Sequence, residues 1–176
     1  MARVPLIDEQ NQPELHGLIA RIRGARRGRL LNLYRLMLHS PDVAAAWLEL
    51  NSALRFKTQL DGKTRELAIL LVAMLNRVDY VVRAHASSYA LQEGISVDQV
   101  NALADWRASA HFDTSQRALL AYVEAMTREV AVEDDTYESL KRHYSDREMV
   151  ELTVLIGAYN MLTRVLQALR VDPEPA

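Results

Sequence analysis

The amino-acid sequence predicts an all-α protein. Apolar residues recur at the three- and four-residue spacing of amphipathic helices along most of the 176-residue chain. Only six glycines and five prolines interrupt this pattern, and no segment shows the strict alternation that is typical of a half-buried strand. We expect one domain over residues 1–176, large enough to bury about 70% of the surface that the unfolded chain exposes.

Prolines set the limits of the helices predicted in the first half of the chain. These helices cover, to within a few residues, 13–23, 30–39, 41–57 and 64–77. Pro13 and Pro41 each fit a first turn, where the missing N–H is not needed. Pro41 also ends the helix before it, because proline disfavours a helical conformation in the preceding residue. The fourth helix contains the apolar run 67–75 and is the predicted core helix.

Capping residues set the limits of the helices predicted in the second half. These helices cover about 79–94, 96–105, 114–130, 134–143 and 145–170, with a tail at 171–176. Asp79 and Ser96 suit N-cap positions, because their side-chain oxygens accept hydrogen bonds from the free N–H groups of a first turn. Gly94 suits a helix end that requires a left-handed backbone. About nine helices result.

Two helical segments resemble each other. Residues 65–75 read RELAILLVAML and residues 147–157 read REMVELTVLIG, so that Arg, Glu, Leu and Val match at a constant offset of 82. The likeness indicates either a duplicated helical unit or two helices that share an amphipathic pattern.

The two aligned glutamates receive different interpretations. Glu148 completes the sequence of a capping box with Ser145, in which each residue bonds the other's backbone N–H. The same register places Lys63 opposite Ser145, so Glu66 has no such partner. Glu66 is therefore either a solvated carboxylate that the helix dipole favours or a functional group.

His85 lies on an apolar side of its helix, where two readings are open. That side carries Val78, Val81, Val82, His85 and Tyr89. A lone histidine in such a place is commonly a hydrogen-bonded core residue. Imidazole nevertheless exchanges protons near neutral pH, so a histidine that faces Glu66 across two successive helices would form an acid/base pair.

Composition excludes several classes of function. The net charge of −2 gives no reason to expect nucleic-acid binding. The sequence has no cysteine, which excludes disulfides, thiolate metal sites and thiol redox chemistry carried by this chain. Its five histidines lack metal-ligand spacing, and no phosphate-binding glycine loop occurs, so we expect no metal and no cofactor. No apolar run approaches the ~20 residues needed to span a bilayer, and no signal peptide is evident, which favours a cytoplasmic protein without membrane contact.

An arginine-rich segment precedes the second helix. It contains Arg21, Arg23, Arg26, Arg27 and Arg29. Such a segment is commonly a solvated connection. The alternative is a binding surface for an anionic substrate such as a carboxylate, which arginine can bind through two hydrogen bonds.

Three segments together resemble the carboxymuconolactone decarboxylase and alkyl hydroperoxidase D superfamily. They read RELAILLVAMLNRVDYVVRAHASSYALQEGIS, LLNLYRLMLHSPDVAAAWLEL and YSDREMVELTVLIGAYNMLTRVLQAL. The likeness covers about residues 30–169. It implies an AhpD-like all-helical fold with a duplicated helix pair, and a homotrimer or homohexamer with sites near subunit interfaces.

The resemblance assigns roles to residues 66–85. The superfamily's peroxidatic motif has a Glu, then two cysteines separated by two other residues, then a His. Here Glu66 and His85 match the outer positions, whereas Val78 and Val81 stand where the cysteines would be, with Tyr80 before the second. The resemblance implies catalytic roles for Glu66, His85 and Tyr80. It implies substrate contacts for Asn76, Val78, Val81 and Arg83.

Two functions follow as hypotheses. The first is acid/base chemistry by Glu66 and His85, such as decarboxylation or isomerisation of a small carboxylate or lactone, since valine cannot carry thiol peroxidase or peroxiredoxin-type chemistry. The second is a non-catalytic oligomeric binding protein, in which Val78 and Val81 fill a vestigial site. Apolar residues on all sides of the 145–170 helix favour burial of part of it against another subunit over a monomer.

Overall fold

The computed structural model describes residues 2–86 and 89–174, and this part of the chain contains helices and no strand. The α-helices are α1 (His16–Ala25), α2 (Asn32–Met37), α3 (Pro41–Phe56), α4 (Gly62–Leu75), α5 (Asp79–Ala86), α6 (Tyr89–Gln92), α7 (Val97–Ala102), α8 (Thr114–Arg128), α9 (Asp134–Lys141) and α10 (Asp146–Leu169). Short 3-10 helices cover Glu9–Asn11, Pro13–Leu15 and Leu103–Asp105. The all-α prediction is confirmed.

The chain forms two compact units. The first unit contains residues 1–57 and 166–176, and the second contains residues 58–165. In the first unit α1 and α2 both pack on α3. In the second unit α4 packs on α5, α6 and α8. That the chain works as one domain stays a prediction.

Helix α4 is the core of the second unit. Nine of its residues are buried, among them every residue from Glu66 to Ala73. The side chain of Asp61 caps the helix by accepting a hydrogen bond from the backbone N–H of Thr64 at 2.9 Å. A helix that is apolar on all sides requires cover on all sides, and the neighbouring helices of this unit provide it.

A left-handed residue reverses the chain between α4 and α5. Arg77 has φ 56°, and the N–H of Val78 donates to the carbonyl of Ala73 at 2.9 Å. This hydrogen bond closes the end of α4 in the way that a Schellman motif does. Helix α5 then runs back along α4, which brings its later residues toward the start of α4.

The predicted helix 79–94 corresponds to α5 and α6, with residues 87 and 88 outside the described part of the chain. Gly94 follows α6 with φ 77°, and the N–H of Ile95 donates to the carbonyl of Ala90 at 2.9 Å. The predicted glycine terminus is therefore confirmed, since a left-handed backbone at this point favours glycine.

Helix α10 has the length and mean hydropathy of a membrane span, whereas the sequence was expected to contain no apolar segment of that length. Half of its most apolar stretch is buried in protein, as in the core helix of a soluble-type helical domain. On the remaining surface Val150, Val154 and Met161 are exposed. These three residues are spaced so that they share one side of the helix.

Candidate functional site

Glu66 and His85 form a buried pair between α4 and α5. Nδ1 of His85 lies 2.5 Å from Oε2 of Glu66. The exposed fraction is 1% for Glu66 and 6% for His85. An ionised carboxylate can only accept a hydrogen bond, so Nδ1 of His85 is the donor. The sequence suggested this pair as a hypothesis, and the structure gives the distance between the two side chains.

The antiparallel course of α4 and α5 brings the two side chains together. Glu66 lies nine residues before Leu75, and His85 lies seven residues after Val78. At 1.5 Å per residue these stretches are about 13 Å and 10 Å long, so both residues lie at the same end of the helix pair. The pairing therefore follows from the position of the turn at Arg77.

Two tyrosine rings pack against the imidazole of His85. The ring of Tyr89 is tilted, with its centroid 5.2 Å away, and the ring of Tyr159 meets the imidazole edge-on at 5.8 Å. Tyr159 comes from α10 and is buried. Sequence reasoning gave Tyr159 no role, because only the fold brings α10 to this site.

The second ring nitrogen of His85 is available for another contact. In the part of the chain that the structure describes, Nε2 makes no hydrogen bond, whereas Nδ1 is held by Glu66. A histidine oriented through one nitrogen by a carboxylate can accept a proton on the other. The arrangement is therefore capable of general acid/base chemistry.

Arg65 and Glu93 border the carboxylate of Glu66. Nε of Arg65 lies 3.8 Å from Oε1 of Glu66, and Nη2 of Arg65 donates to Oε1 of Glu93 at 3.0 Å. Nε of Arg65 is buried and has no hydrogen-bond partner among residues 2–86 and 89–174. The sequence offered no signal for Glu93, which lies 28 residues from Arg65 in a region read only as a helix end.

The other predicted site residues are distributed along α5 and its turn. Tyr80, Val78 and Val81 are buried, whereas Arg83 is exposed. The valines lie nearer the turn than His85 does, and they form part of the apolar interior of the second unit. Their burial is consistent with apolar packing at the two positions where the family motif has cysteines.

Asn76 lies at the opposite end of α4 from Glu66, ten residues or about 15 Å along the helix axis. Its Nδ2 donates to Oδ1 of Asn160 at 3.0 Å and to Oγ1 of Thr163 at 2.9 Å. Nδ2 of Asn160 in turn donates to Thr127 at 3.0 Å. The structure thus gives Asn76 a role in joining helices, and it does not bring Asn76 to the Glu66–His85 pair.

A polar cavity of about 450 Å³ opens beside the first turn of α4. It is lined by Asp61, Lys63, Thr64, Leu67, Ser115, Gln116, His143, Tyr144 and Glu148. Thr64 donates to Asp61 at 2.6 Å and lies 3.0 Å from the hydroxyl of Tyr144. Burial raises the pKa of Tyr144, which keeps its hydroxyl protonated. Glu66, Tyr80 and His85 do not line this cavity.

Three arginines of the arginine-rich segment bind other groups of the first unit. Arg21 pairs with Glu49 at 2.6 Å and Arg23 pairs with Glu9 at 2.7 Å. Arg26 donates to the hydroxyl of Tyr34, to Oδ1 of Asn51, to Oγ of Ser52 and to the carbonyl of Ala25. These contacts occupy the guanidinium donors of Arg26 and tie the end of α1 to α2 and α3. Within this unit the three side chains act in the packing of the chain.

No group of three or more histidine, aspartate or glutamate side chains comes together as a metal site within residues 2–86 and 89–174. The absence of a metal and of a cofactor stays a prediction.

Comparison with known proteins identifies a family and a fold. The carboxymuconolactone decarboxylase family matches residues 41–125, a range that includes Glu66 and His85. The uncharacterised protein YnjA of Escherichia coli (strain K12) is 31% identical over 134 residues, which cover 76% of this chain and 70% of YnjA.

Two solved structures share the architecture. A protein of unknown function from Agrobacterium tumefaciens is 28% identical, has a TM-score of 0.74, and is matched over 80% of this chain and 97% of that chain. An uncharacterised peroxidase-related protein from Silicibacter sp. TM1040 is 21% identical with a TM-score of 0.82, over 98% of this chain and 92% of that chain. The second likeness concerns the fold alone.

Proposed function

The chain belongs to the carboxymuconolactone decarboxylase family, and on that premise we propose that it is a cysteine-independent enzyme of this family. In this proposal Glu66 and His85 transfer a proton to or from a small carboxylate or lactone. The product is a decarboxylated or isomerised compound. Tyr80, Val78, Val81 and Arg83 are the proposed neighbours of the substrate.

The main support for this proposal is the 2.5 Å contact between Nδ1 of His85 and Oε2 of Glu66, both of which are buried. The carboxylate orients the ring and stabilises the imidazolium that forms when Nε2 takes a proton. In an isomerisation, the proton leaves one substrate atom for Nε2 and returns to another. In a decarboxylation, the C–C bond to the carboxylate breaks and CO₂ leaves, the electron pair stays on the remaining carbon, and the imidazolium protonates that carbon.

A thiol peroxidase is not a candidate for this chain, because peroxide reduction by that route requires a thiolate and the sequence has no cysteine. The peroxidase-related name of one structural neighbour therefore belongs to that neighbour. We expect no reduction of peroxide with lipoyl or thioredoxin-type donors. Reproducible stoichiometric turnover of peroxide by metal-free protein would contradict this expectation.

The test of the proposed function is a screen of small carboxylates and lactones with purified protein, followed by variants. For any compound that is turned over, His85→Ala and Glu66→Gln should each lower kcat by about 10²- to 10⁴-fold, the usual contribution of general acid/base catalysis. Glu148→Gln is the matched control, since Glu148 is the aligned glutamate of α10. If His85→Ala and Glu66→Gln leave turnover unchanged, the proposal is wrong.

A second candidate function is a non-catalytic binding protein with a vestigial site. The burial of Val78, Tyr80 and Val81 favours it, since valine fills a closed interior well. In this case Val81→Ala would lower stability without changing the binding of any small carboxylate. A turnover that depends on His85 would exclude the candidate.

We also propose a homotrimer or homohexamer in the cytoplasm, without nucleic-acid or membrane partners. The exposed apolar side of α10 supports an oligomer, because Val150, Val154 and Met161 lose contact with water in a subunit interface. Light scattering coupled to size exclusion is the test. A 20 kDa species at micromolar concentration would contradict the proposal.

A further inference from the structure

We propose that Arg65, held by Glu93, is a positioning residue that keeps the carboxylate of Glu66 turned toward His85. This inference rests on the proposed function, since orientation of His85 matters most when the ring transfers a proton. Neither Arg65 nor Glu93 is one of the four positions 66, 78, 81 and 85 that were matched to the family's peroxidatic motif. Both act through Glu66.

The two oxygens of Glu66 face different groups. Oε2 lies 2.5 Å from Nδ1 of His85, and Oε1 lies 3.8 Å from Nε of Arg65. The guanidinium attracts Oε1 and so favours the rotation of the carboxylate in which Oε2 accepts the Nδ1 proton. The attraction operates in a buried setting, because Glu66 is 1% exposed and water screens the charges weakly there.

Glu93 restrains the guanidinium from the other side. Its Oε1 accepts a hydrogen bond from Nη2 of Arg65 at 3.0 Å. A long arginine side chain would otherwise sample several rotamers, and the bond to a carboxylate reduces that freedom. Glu93 follows α6, so the bond also ties the end of α6 to the first turn of α4.

Gly62 leaves the space that Glu93 occupies. A Cβ atom at position 62 would lie 1.7 Å from Oε2 of Glu93 and 2.0 Å from its carboxyl carbon. Any side chain at this position would therefore displace the carboxylate from its place beside Arg65. The contacts thus form a chain: Gly62 leaves space for Glu93, Glu93 binds Arg65, and Arg65 lies beside the carboxylate of Glu66.

Arg147 of α10 aligns with Arg65 and binds a different kind of partner. Arg147 pairs with Glu151 one turn along the same helix, at 2.8 Å, and more than half of its side chain is exposed. Oε2 of the neighbouring Glu148 accepts hydrogen bonds from the backbone N–H and the hydroxyl of Ser145. Arg147→Met is therefore a matched control for Arg65→Met.

The test is the ¹⁵N NMR spectrum of the His85 imidazole, assigned by its loss in His85→Gln. In the parent protein we expect the proton on Nδ1. Arg65→Met, Glu93→Gln and Gly62→Ala should each shift the population toward the Nε2-protonated form, and Arg147→Met should leave the spectrum unchanged. Parent-like Nδ1 and Nε2 shifts in both Arg65→Met and Glu93→Gln would overturn the inference. Glu93→Gln is nearly isosteric, so the comparison holds even if Arg65→Met fails to fold.

Kinetics separate this inference from the proposed function. With a substrate in hand, Arg65→Met should lower kcat by about 10- to 100-fold, because a small misplacement of a catalytic group has effects of this size. A shifted tautomer without any turnover by the parent protein would support the positioning and count against the enzyme. Turnover that needs His85, together with a parent-like tautomer in the variants, would support the enzyme and overturn the positioning.

Discussion

Helices α4 and α10 carry the same Arg-Glu dipeptide near their starts, and its two residues make different contacts in each. Arg65 and Glu66 are the fourth and fifth residues of α4, whereas Arg147 and Glu148 are the second and third residues of α10. Glu66 is buried and binds His85 of another helix. Glu148 is half-buried and bonds to the backbone N–H and hydroxyl of Ser145 at 2.8 Å and 2.7 Å.

The difference lies in what covers each turn. Helix α5 returns antiparallel to α4 and brings a histidine to Glu66. The start of α10 instead borders the polar cavity, where Glu148 completes a capping box within its own turn. The same dipeptide therefore gives a long-range pair in one place and a local cap in the other, because Ser145 offers Glu148 a capping partner that Lys63 does not offer Glu66, and because α5 brings His85 to Glu66.

Replacement of either glutamate by alanine should lower the stability of the protein, and the two losses should differ. We expect Glu66→Ala to lower the free energy of unfolding by about 3 kcal/mol, because it leaves a buried imidazole N–H without its acceptor. Glu148→Ala should cost about 1 kcal/mol, the usual value of a helix cap. Urea denaturation monitored by circular dichroism measures both. Equal losses would contradict the distinction between buried pair and surface cap.

Glycine-to-alanine substitutions in α4 and α10 should change the free energy of unfolding less than the glutamate substitutions do. In α10 the substitution should increase stability. In α10 a Cβ at Gly157 meets nothing within 4 Å, so Gly157→Ala should raise the free energy of unfolding by about 0.5–1 kcal/mol. In α4 Gly62→Ala should give a smaller gain, because the new Cβ displaces the flexible carboxyl end of Glu93 from Arg65. Thermal unfolding of the two variants measures both. A destabilised Gly157→Ala would instead indicate that another chain contacts α10 at this glycine.

Acid should weaken the start of α10 through Glu151. Burial opposes ionisation of this carboxyl, but hydrogen bonds from Arg147 and from the backbone of Gln59 and Leu60 outweigh it and lower its pKa. A lowered folded-state pKa gives stability that is present above the unfolded value of about 4.3 and is lost as the pH falls through the folded value. Glu151→Gln should flatten the decline of stability below about pH 4.3. A variant that declines as steeply as the parent would contradict this role.

Local rules predicted the helices well, because the signals lie within each segment. Pro41 opens α3, Gly94 follows α6 in a left-handed conformation, and Asp113 caps α8. Gln116 forms a capping box with Asp113 at the start of α8. The hydrogen bond from the backbone N–H of Gln116 is the main reason that the pKa of Asp113 is lowered. Such features depend on neighbours within a few residues, which periodicity and capping rules read directly.

The site was only partly predictable, because its partners are distant in sequence. Glu66 and His85 were identified through the family motif, and the antiparallel helix pair explains why they meet. Glu93 and Tyr159 were missed, since nothing in their own segments distinguishes them from surface or core residues. Asn76 illustrates the opposite case, where a polar residue beside the motif serves a network with α10 instead.

Proton transfer by Glu66 and His85 can be tested directly by hydrogen–deuterium exchange at the carbon atoms of a substrate. Carboxylates and lactones are incubated with the protein in D₂O, and deuterium at carbon is measured by NMR or mass spectrometry. We expect incorporation by the parent protein and by Glu148→Gln, and a loss of at least about 10²-fold in His85→Ala and Glu66→Gln. Incorporation that survives in His85→Ala, or its absence from the parent protein across all compounds, would contradict proton transfer by the Glu66–His85 pair.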